Sequence, residues 1–225
     1  MISVIIPALN ESRALPAMLN RLFMQSGEFE VILVDGGSID ETVACARLRP
    51  TIRILSSRRG RALQMNTGAA VARGNILLFL HADTVLPDGA IADLNAFELV
   101  PSIQWGGFHQ RFSGSSWVLR TISRMHNWRC ERTGIIYGDQ AMFVRRKLFS
   151  ASGGFPADPI LEDVRLSERL LRWVSPTILP SAVVTDSRKF EQMGPLRSFL
   201  RCLLILTCYE LRLPILGRGF FAAIR

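Results

Sequence analysis

The chain has 225 residues, of which 48% are hydrophobic and 20% charged, and its formal net charge is +8. That is enough apolar material for one large core or for two lobes sharing a sheet, and it excludes a disordered chain. No uncharged apolar run reaches the roughly 18 residues of a spanning helix, and a first strand starting at Ile2 leaves no room for a signal peptide, so a cytoplasmic protein is expected.

Ile2 to Ile6 reads as a β-branched, nearly continuous first strand, stopped by Pro7, which has no N–H to give the ladder. Asn10, Glu11 and Ser12 offer caps for a helix over 13–25, with Leu15, Met18, Leu19, Leu22 and Phe23 on one face and Gly27 closing it. Glu30 to Val34 predicts a second strand ending at Asp35, and a helix begins near Asp40-Glu41 after Gly36-Gly37-Ser38. Ile52 to Leu55 is a short third strand, followed by a helix over 60–72. Arg58, Arg59 and Arg61 stand at the start of that helix, where backbone N–H groups favour anions. Gly74 then opens the apolar run Ile76 to Leu80, which lacks alternation and ends in His81 and Asp83. Such a run suits a central strand covered on both faces. Three strand–helix units in succession predict a doubly wound, mostly parallel sheet, with the ligand crevice beyond the strands' carboxyl ends. His81 and Asp83 lie at that rim and are of metal-ligating type.

The second half differs in character. A helix over 88–98 precedes a strand from Gln104 to Phe112 with an irregularity at Gly106-Gly107, and Trp117 to Arg132 forms an amphipathic helix mixing Trp, Leu, Ile, Met and Arg. Gly138-Asp139-Gln140 leads into a strand at Met142 to Val144, Glu162-Asp163 opens a helix to about Trp173, and short strands follow at 177–179 and 182–185. A last helix, 195–213, is apolar all round from Cys202 to Tyr209; it can pack on the core, join two copies or lie in a membrane interface. The charge excess lies wholly in this half, because residues 1–100 hold 9 basic and 10 acidic side chains of the chain's 27 and 19. Cys45, Cys130, Cys202 and Cys208 show no metal-binding spacing and read as packed, reduced thiols.

The motifs in order are Ser3-Val4-Ile5-Ile6-Pro7-Ala8-Leu9-Asn10-Glu11, Val34-Asp35-Gly36-Gly37-Ser38, Gly60-Arg61-Ala62 with Asn66-Thr67-Gly68, His81-Ala82-Asp83, Gly138-Asp139-Gln140 and Glu162-Asp163. This series resembles glycosyltransferase family 2, inverting nucleotide-sugar enzymes of GT-A fold, from Ile2 to about Asp163. The resemblance implies a donor half over 1–100, an acceptor and catalytic half over 101–190 sharing the sheet, and a C-terminal segment over 191–225 that contacts a membrane or a second copy. It implies that Pro7, Ala8 and Glu11 line the nucleotide pocket, that Asp35 meets the base, and that Arg61 reaches base or diphosphate. Ala82 and Asp83 belong to the metal motif, with Asp83 its metal-binding end, and Asp163 is the base. The sequence departs from the family where Gly36 replaces a second acid and His81 the first acid of the metal motif, both features of a sub-branch with Leu-His-Ala-Asp-Thr.

Mg²⁺ or Mn²⁺ bridging a diphosphate stabilises the charge that develops as the sugar bond breaks, and magnesium needs few protein ligands, so one carboxylate suffices. His81 could ligate Mn²⁺, bond the ribose or cap the strand. A carboxylate must take the acceptor's proton, a role for Asp163, with Glu162 orienting the acceptor; Asp139 and Gln140 serve the acceptor pocket or a structural turn. Turn and cap roles are the plainer alternatives for Asp83, Asp35, Glu11 and Asp163, and a solvated surface role for Arg61. His109 and His126 read as packing or surface residues. The expected donor is a UDP-sugar and the acceptor a hydroxyl or carboxyl, lipid-linked, carotenoid-type or otherwise membrane-presented, with peripheral attachment to the inner face of a membrane and no nucleic acid. The rivals are a basic module that binds anionic membrane or nucleic acid without catalysis, and a sugar-phosphate nucleotidyltransferase. The latter would want a lysine near the first strand, and residues 1–27 have none.

Overall fold

In the computed structural model, residues 1–157 and 161–194 are described, together with 197, 200, 203, 204, 207 and 208. β1 (Ile2–Ala8), β2 (Phe29–Asp35), β3 (Ile52–Ser56) and β4 (Ile76–Phe79) run parallel in the order β3-β2-β1-β4. Successive residues of β1 serve opposite faces. Val4 and Ile6 join the cluster containing Leu15, Met18, Leu19 and Leu22 of α1 (Leu15–Phe23), whereas Ile5 joins the one containing Ala62 and Met65 of α3 (Arg61–Val71). Burial on both faces is why β1 and β4 are apolar almost throughout.

The chain steps from β1 to β2 and β3 on one side, then returns through α3 to place β4 on the other side of β1. That reversal opens a crevice between the carboxyl ends of β1 and β4. The second half extends the same sheet. β7 (Phe143–Arg145) lies antiparallel to β4, β6 (Trp105–Phe112) antiparallel to β7, β8 (Thr177–Thr185) parallel to β6, and β5 (Thr84–Val85) antiparallel to β8 at the edge. The fold is thus the expected α/β type, with antiparallel strands confined to β5 and β7.

The remaining helices are α2 (Thr42–Arg47), α4 (Ala90–Phe97), α5 (Trp117–Thr133), α6 (Arg146–Ala151), α7 (Glu162–Leu171) and α8 (Arg188–Met193). Three local differences from the sequence reading have physical causes. The irregularity in β6 falls at Phe108/His109, where the register with β8 shifts, and not at Gly106-Gly107. That shift skips Pro180-Ser181 and lets 177–185 continue as one strand where two were expected, proline being tolerated where the ladder is interrupted. α1 begins at Leu15, with a proline in its first turn, where the missing N–H costs no helical bond. The expected last helix, 195–213, lies largely outside the described residues, as does Cys202; its described members are helical, and Leu200, Leu203 and Leu204 are exposed. Cys45, Cys130 and Cys208 are free thiols. No helix among the described residues is long and apolar enough to cross a membrane.

Candidate active site

One side of the crevice is built by backbone groups at the ends of β1 and β2. Gln64, buried on α3, donates from Nε2 to the carbonyl oxygens of Ala8 and Val34, each at 2.8 Å, and so ties the two strand ends together. A methyl group on Gly36 would stand 3.0 Å from the Gln64 amide, so a side chain after Asp35 would require that amide to give way. The Asp35 carboxylate is 7% exposed and accepts from the N–H groups of Gly37 at 3.1 Å and Ser38 at 3.2 Å, which folds the loop back over the strand end. The facing loop is pinned to it, because Thr42 Oγ1 accepts from the Glu11 N–H at 2.8 Å and Asp40 from the Ser12 N–H at 3.1 Å. Burial pushes the Asp40 carboxyl up, but hydrogen bonds from Thr42 and Ser12 outweigh it and hold it at about 2.

Opposite this loop pair, Arg61 opens α3 and gathers acids from three other segments. Its Nη1 lies 3.5 Å from Oε1 of the buried Glu162. Burial alone would lower the guanidinium, yet Glu162, Asp163, Asp83 and Asp139 together raise it above its ordinary value. Asp83 sits on the turn after β4, which is closed by the Thr84 N–H to His81 O bond at 3.1 Å and held to the end of β8 by the Asp186 N–H to Asp83 O bond at 3.0 Å.

Asp163 is positioned by the opening of α7. Its Oδ2 accepts from the Gly138 N–H at 2.6 Å and its Oδ1 from the Val164 N–H at 2.8 Å. Ser167, one turn on, exchanges two bonds with the Ile136 backbone, at 3.1 and 3.0 Å, so the same helix face clamps the 136–138 segment twice. Asn66 of α3 holds the loop before α7 through paired bonds with the Phe155 backbone, at 2.8 and 3.0 Å. Gly138 separates Asp163 from His81: a methyl group there would lie 2.6 Å from His81 Nε2 and 3.3 Å from Asp163 Oδ2.

Asp139 lies against α5. Its Oδ1 lies 3.5 Å from His126 Nε2, and both atoms are buried with no hydrogen-bond partner. Burial pushes the Asp139 carboxyl up, reinforced by Asp163 and opposed by His126 and Arg129; burial likewise pushes the His126 imidazole down. Arg129, one turn along α5, stacks on Tyr137 with its guanidinium carbon 3.7 Å from the ring centroid and donates from Nη1 to Ile135 O at 3.1 Å, leaving Nε and Nη2 buried without a partner. Buried polar atoms of this kind are rare and mark places where water or a ligand belongs. His126, read from the sequence as a packing or surface residue, packs against Tyr137, whereas Arg129 escapes sequence reading because it sits inside a helix with no motif; only their shared face, at spacing i, i+3, hints at the pair.

The candidate residues therefore divide. Arg61, Asp83, Asp139, Glu162 and Asp163 form one electrostatic group, with His81 against Gly138 beside it, whereas Pro7, Ala8, Glu11 and Asp35 belong to the ends of β1 and β2 and the loops that follow them. The methyl group of Ala82 lies in the core, so only its backbone is available at the rim. Gln140 is fully buried, and its amide is engaged by the turn, donating to Phe108 O at 3.1 Å and accepting from the Tyr137 N–H at 3.0 Å. His109 pairs with Glu131 at 2.9 Å on the outer side of β6 and α5. Among the described residues, three non-glycine residues have positive φ: Asn10 at 55°, Ala141 at 46° and Leu161 at 60°, and each adjoins a candidate segment. Strain of this kind costs about 1–3 kcal/mol per residue and concentrates at functional sites. No cluster of three or more His, Cys, Asp or Glu side chains poised for a metal occurs among the described residues, so a cation here would rest on Asp83 and on oxygens supplied by a ligand.

Crevice, strand order and acid group together define a GT-A fold, and the chain belongs to glycosyltransferase family 2, whose profile, Glycosyl transferase family 2, matches residues 3–149. Among curated relatives, it is 36% identical over 167 residues to a PGL/p-HBAD biosynthesis glycosyltransferase of Mycobacterium bovis, covering 69% of this chain and 63% of the relative. It is 27% identical over 162 residues to the undecaprenyl-phosphate 4-deoxy-4-formamido-L-arabinose transferase of Aeromonas hydrophila, covering 64% of this chain and 48% of that one. The chain thus spans less than two thirds of these relatives. Among solved structures, residues 1–349 of S. aureus TarS superpose with a TM-score of 0.69 at 19% identity, covering 89% of this chain and 65% of that one. The mannosyltransferase PcManGT of Pyrobaculum calidifontis, in complex with GDP-Man and Mn2+, superposes with a TM-score of 0.69 at 21% identity, covering 90% and 64%.

Proposed function

We propose that this protein is an inverting glycosyltransferase that moves a sugar, a hexose in this reading, from a nucleoside diphosphate, UDP in the first instance, to an acceptor presented by a lipid. One observation carries the reading: Arg61, at the start of α3, pairs with the buried Glu162 at 3.5 Å and is raised further by the charges of Asp163, Asp83 and Asp139. An arginine so placed can bind diphosphate oxygens, while the acids around it divide the remaining work.

Pro7, Ala8 and Glu11 form one wall of the nucleotide pocket, Asp35 binds the base, and Arg61 binds the diphosphate. Asp83 would hold Mg²⁺ or Mn²⁺, with His81 as a further candidate ligand, and the bound ion would supply Lewis-acid stabilisation of the leaving diphosphate. Asp163 takes the proton of the acceptor as the sugar carbon is attacked from the face opposite the diphosphate. Its two backbone donors fix the carboxylate, while Glu162 anchors Arg61 beside it. Asp139 contacts the acceptor, and Gln140 shapes the turn that presents it. The undecaprenyl-phosphate transferase among the relatives supports a lipid-linked acceptor, and the UDP complex of TarS a UDP-linked donor. Peripheral attachment to the cytoplasmic face of a membrane fits such an acceptor.

The test is release of UDP from a panel of UDP-sugars with polyprenyl-phosphate acceptors and Mn²⁺. The wild type is expected to turn over at least one pair, and Asp163→Asn to lose about 10²–10⁴-fold in rate while binding UDP unchanged. Full turnover in Asp163→Asn removes it as the base.

A further inference from the structure

α5 has two unlike faces. Leu119, Ser123 and Cys130 are buried, and His126 and Arg129 lean on Tyr137 and Asp139. The opposite stripe, Trp117, Arg120, Thr121, Arg124, Met125, Trp128, Glu131 and Arg132, is exposed along its whole length. The spacing i, i+3, i+4, i+7, i+8, i+11, i+14, i+15 places these residues on one face of a helix about 25 Å long. Trp117 is 70% exposed, Met125 51% and Trp128 60%. Large apolar side chains scattered singly over a surface need no explanation, but an aligned row of them marks a contact.

The chemistry of the row selects its partner. Arg120, Arg124 and Arg132 lie among the apolar residues with one acid, Glu131, and the Arg132 guanidinium stands 5.6 Å from the Trp128 ring centroid. Tryptophan settles at the level of lipid headgroups, and arginine can bury its stem in the same layer while its guanidinium meets phosphate. A helix with this face, outside any spanning segment, has the features of one that lies in a bilayer interface. A two-fold contact between copies through this face would set arginine rows against each other, which argues against self-association. We infer that the outer face of α5 docks the protein on an anionic phospholipid surface.

Docking through this face has a consequence for the site. The inner face of the same helix carries His126 and Arg129, so the Asp139 side of the crevice would stand about one helix diameter, roughly 10 Å, from the headgroups. The docking rests on the surface of α5 alone; only its bearing on a lipid-linked acceptor rests on the transferase reading.

The experiment is co-sedimentation of the full chain with phosphatidylcholine vesicles and with phosphatidylglycerol-rich vesicles, alongside calorimetric UDP binding on the same samples. The wild type is expected to bind the anionic vesicles, to bind them more weakly as salt is added, and to leave the neutral ones largely unbound. Trp117→Ser combined with Trp128→Ser is expected to weaken anionic-vesicle binding by about tenfold or more. Arg120→Gln with Arg124→Gln should flatten the salt dependence, and both double variants should keep the wild-type melting temperature and UDP affinity. Absence of vesicle binding, equal binding by the tryptophan variant, a dimer lost in that variant, or preference for single-stranded oligonucleotide over vesicles would each overturn the inference. Vesicle binding without any UDP binding would instead count against the transferase reading and leave the docking face standing.

Discussion

Gly138 shows how closely the site is fitted at the scale of single atoms. Its α-carbon lies between His81 and Asp163, and an added methyl group would stand 2.6 Å from the imidazole. Gly138→Ala is therefore expected to cost about 1–3 kcal/mol by overpacking, read from a denaturation midpoint, and to depress UDP release by displacing Asp163. Asp139 makes a prediction with a defined sign. Burial raises its folded pKa above the unfolded value, so the unfolded state ionises first as pH rises, and stability falls from about pH 4 upward. Asp139→Asn removes that penalty: it is expected to melt higher than wild type at pH 7 and to show no gain near pH 4, while losing transfer to acceptor. An equal shift in melting temperature at both pH values would refute the assignment. His126 works in the opposite direction, because its folded pKa is lowered and the stability tied to its neutral form is lost as pH falls below about 6.5. Asp83, Arg61 and Asp163 were legible in the sequence because they end strands or open helices within motifs. Arg129 was not, and His126 was read only as a packing or surface residue, because a helical face is assigned a partner only when the fold supplies one.

At the scale of elements, α3 is the piece on which the site hangs. It carries Arg61 at its start, Gln64 a turn later under the ends of β1 and β2, and Asn66 against the loop before α7. Gln64→Leu would leave the Val34 carbonyl without this donor and Ala8 with Gly36 alone, so a loss of about 1–3 kcal/mol is expected in chemical denaturation. Strands β1 to β4 and their helices were readable from unalternating apolar runs and 3.6-residue periodicity, since burial on two faces leaves a strong signal. The second half was harder to read. β8 was split in two at Pro180-Ser181, and the irregularity of β6 was assigned to its glycines, because a register shift depends on the neighbouring strand and not on local sequence. The departure at Gly36 meets the Gln64 amide, which an added side chain would have to displace.

At the scale of the whole molecule, one sheet runs beneath both the loops assigned to the donor and the acids assigned to the acceptor, and the acidic group at their junction is threaded by Arg61. The four carboxylates whose charges raise Arg61 outnumber it, and a divalent cation bound among them would offset that excess while Arg61 meets the diphosphate. Calorimetric titration of UDP into the wild type and into Asp83→Ala, with and without Mn²⁺, tests this directly. The expected result is UDP binding by the wild type that strengthens with Mn²⁺, and loss of that metal dependence in Asp83→Ala. Equal UDP affinity in the two proteins at every Mn²⁺ concentration would contradict the placement of the metal on Asp83, and no UDP binding under any metal condition would contradict the UDP-dependent transferase reading.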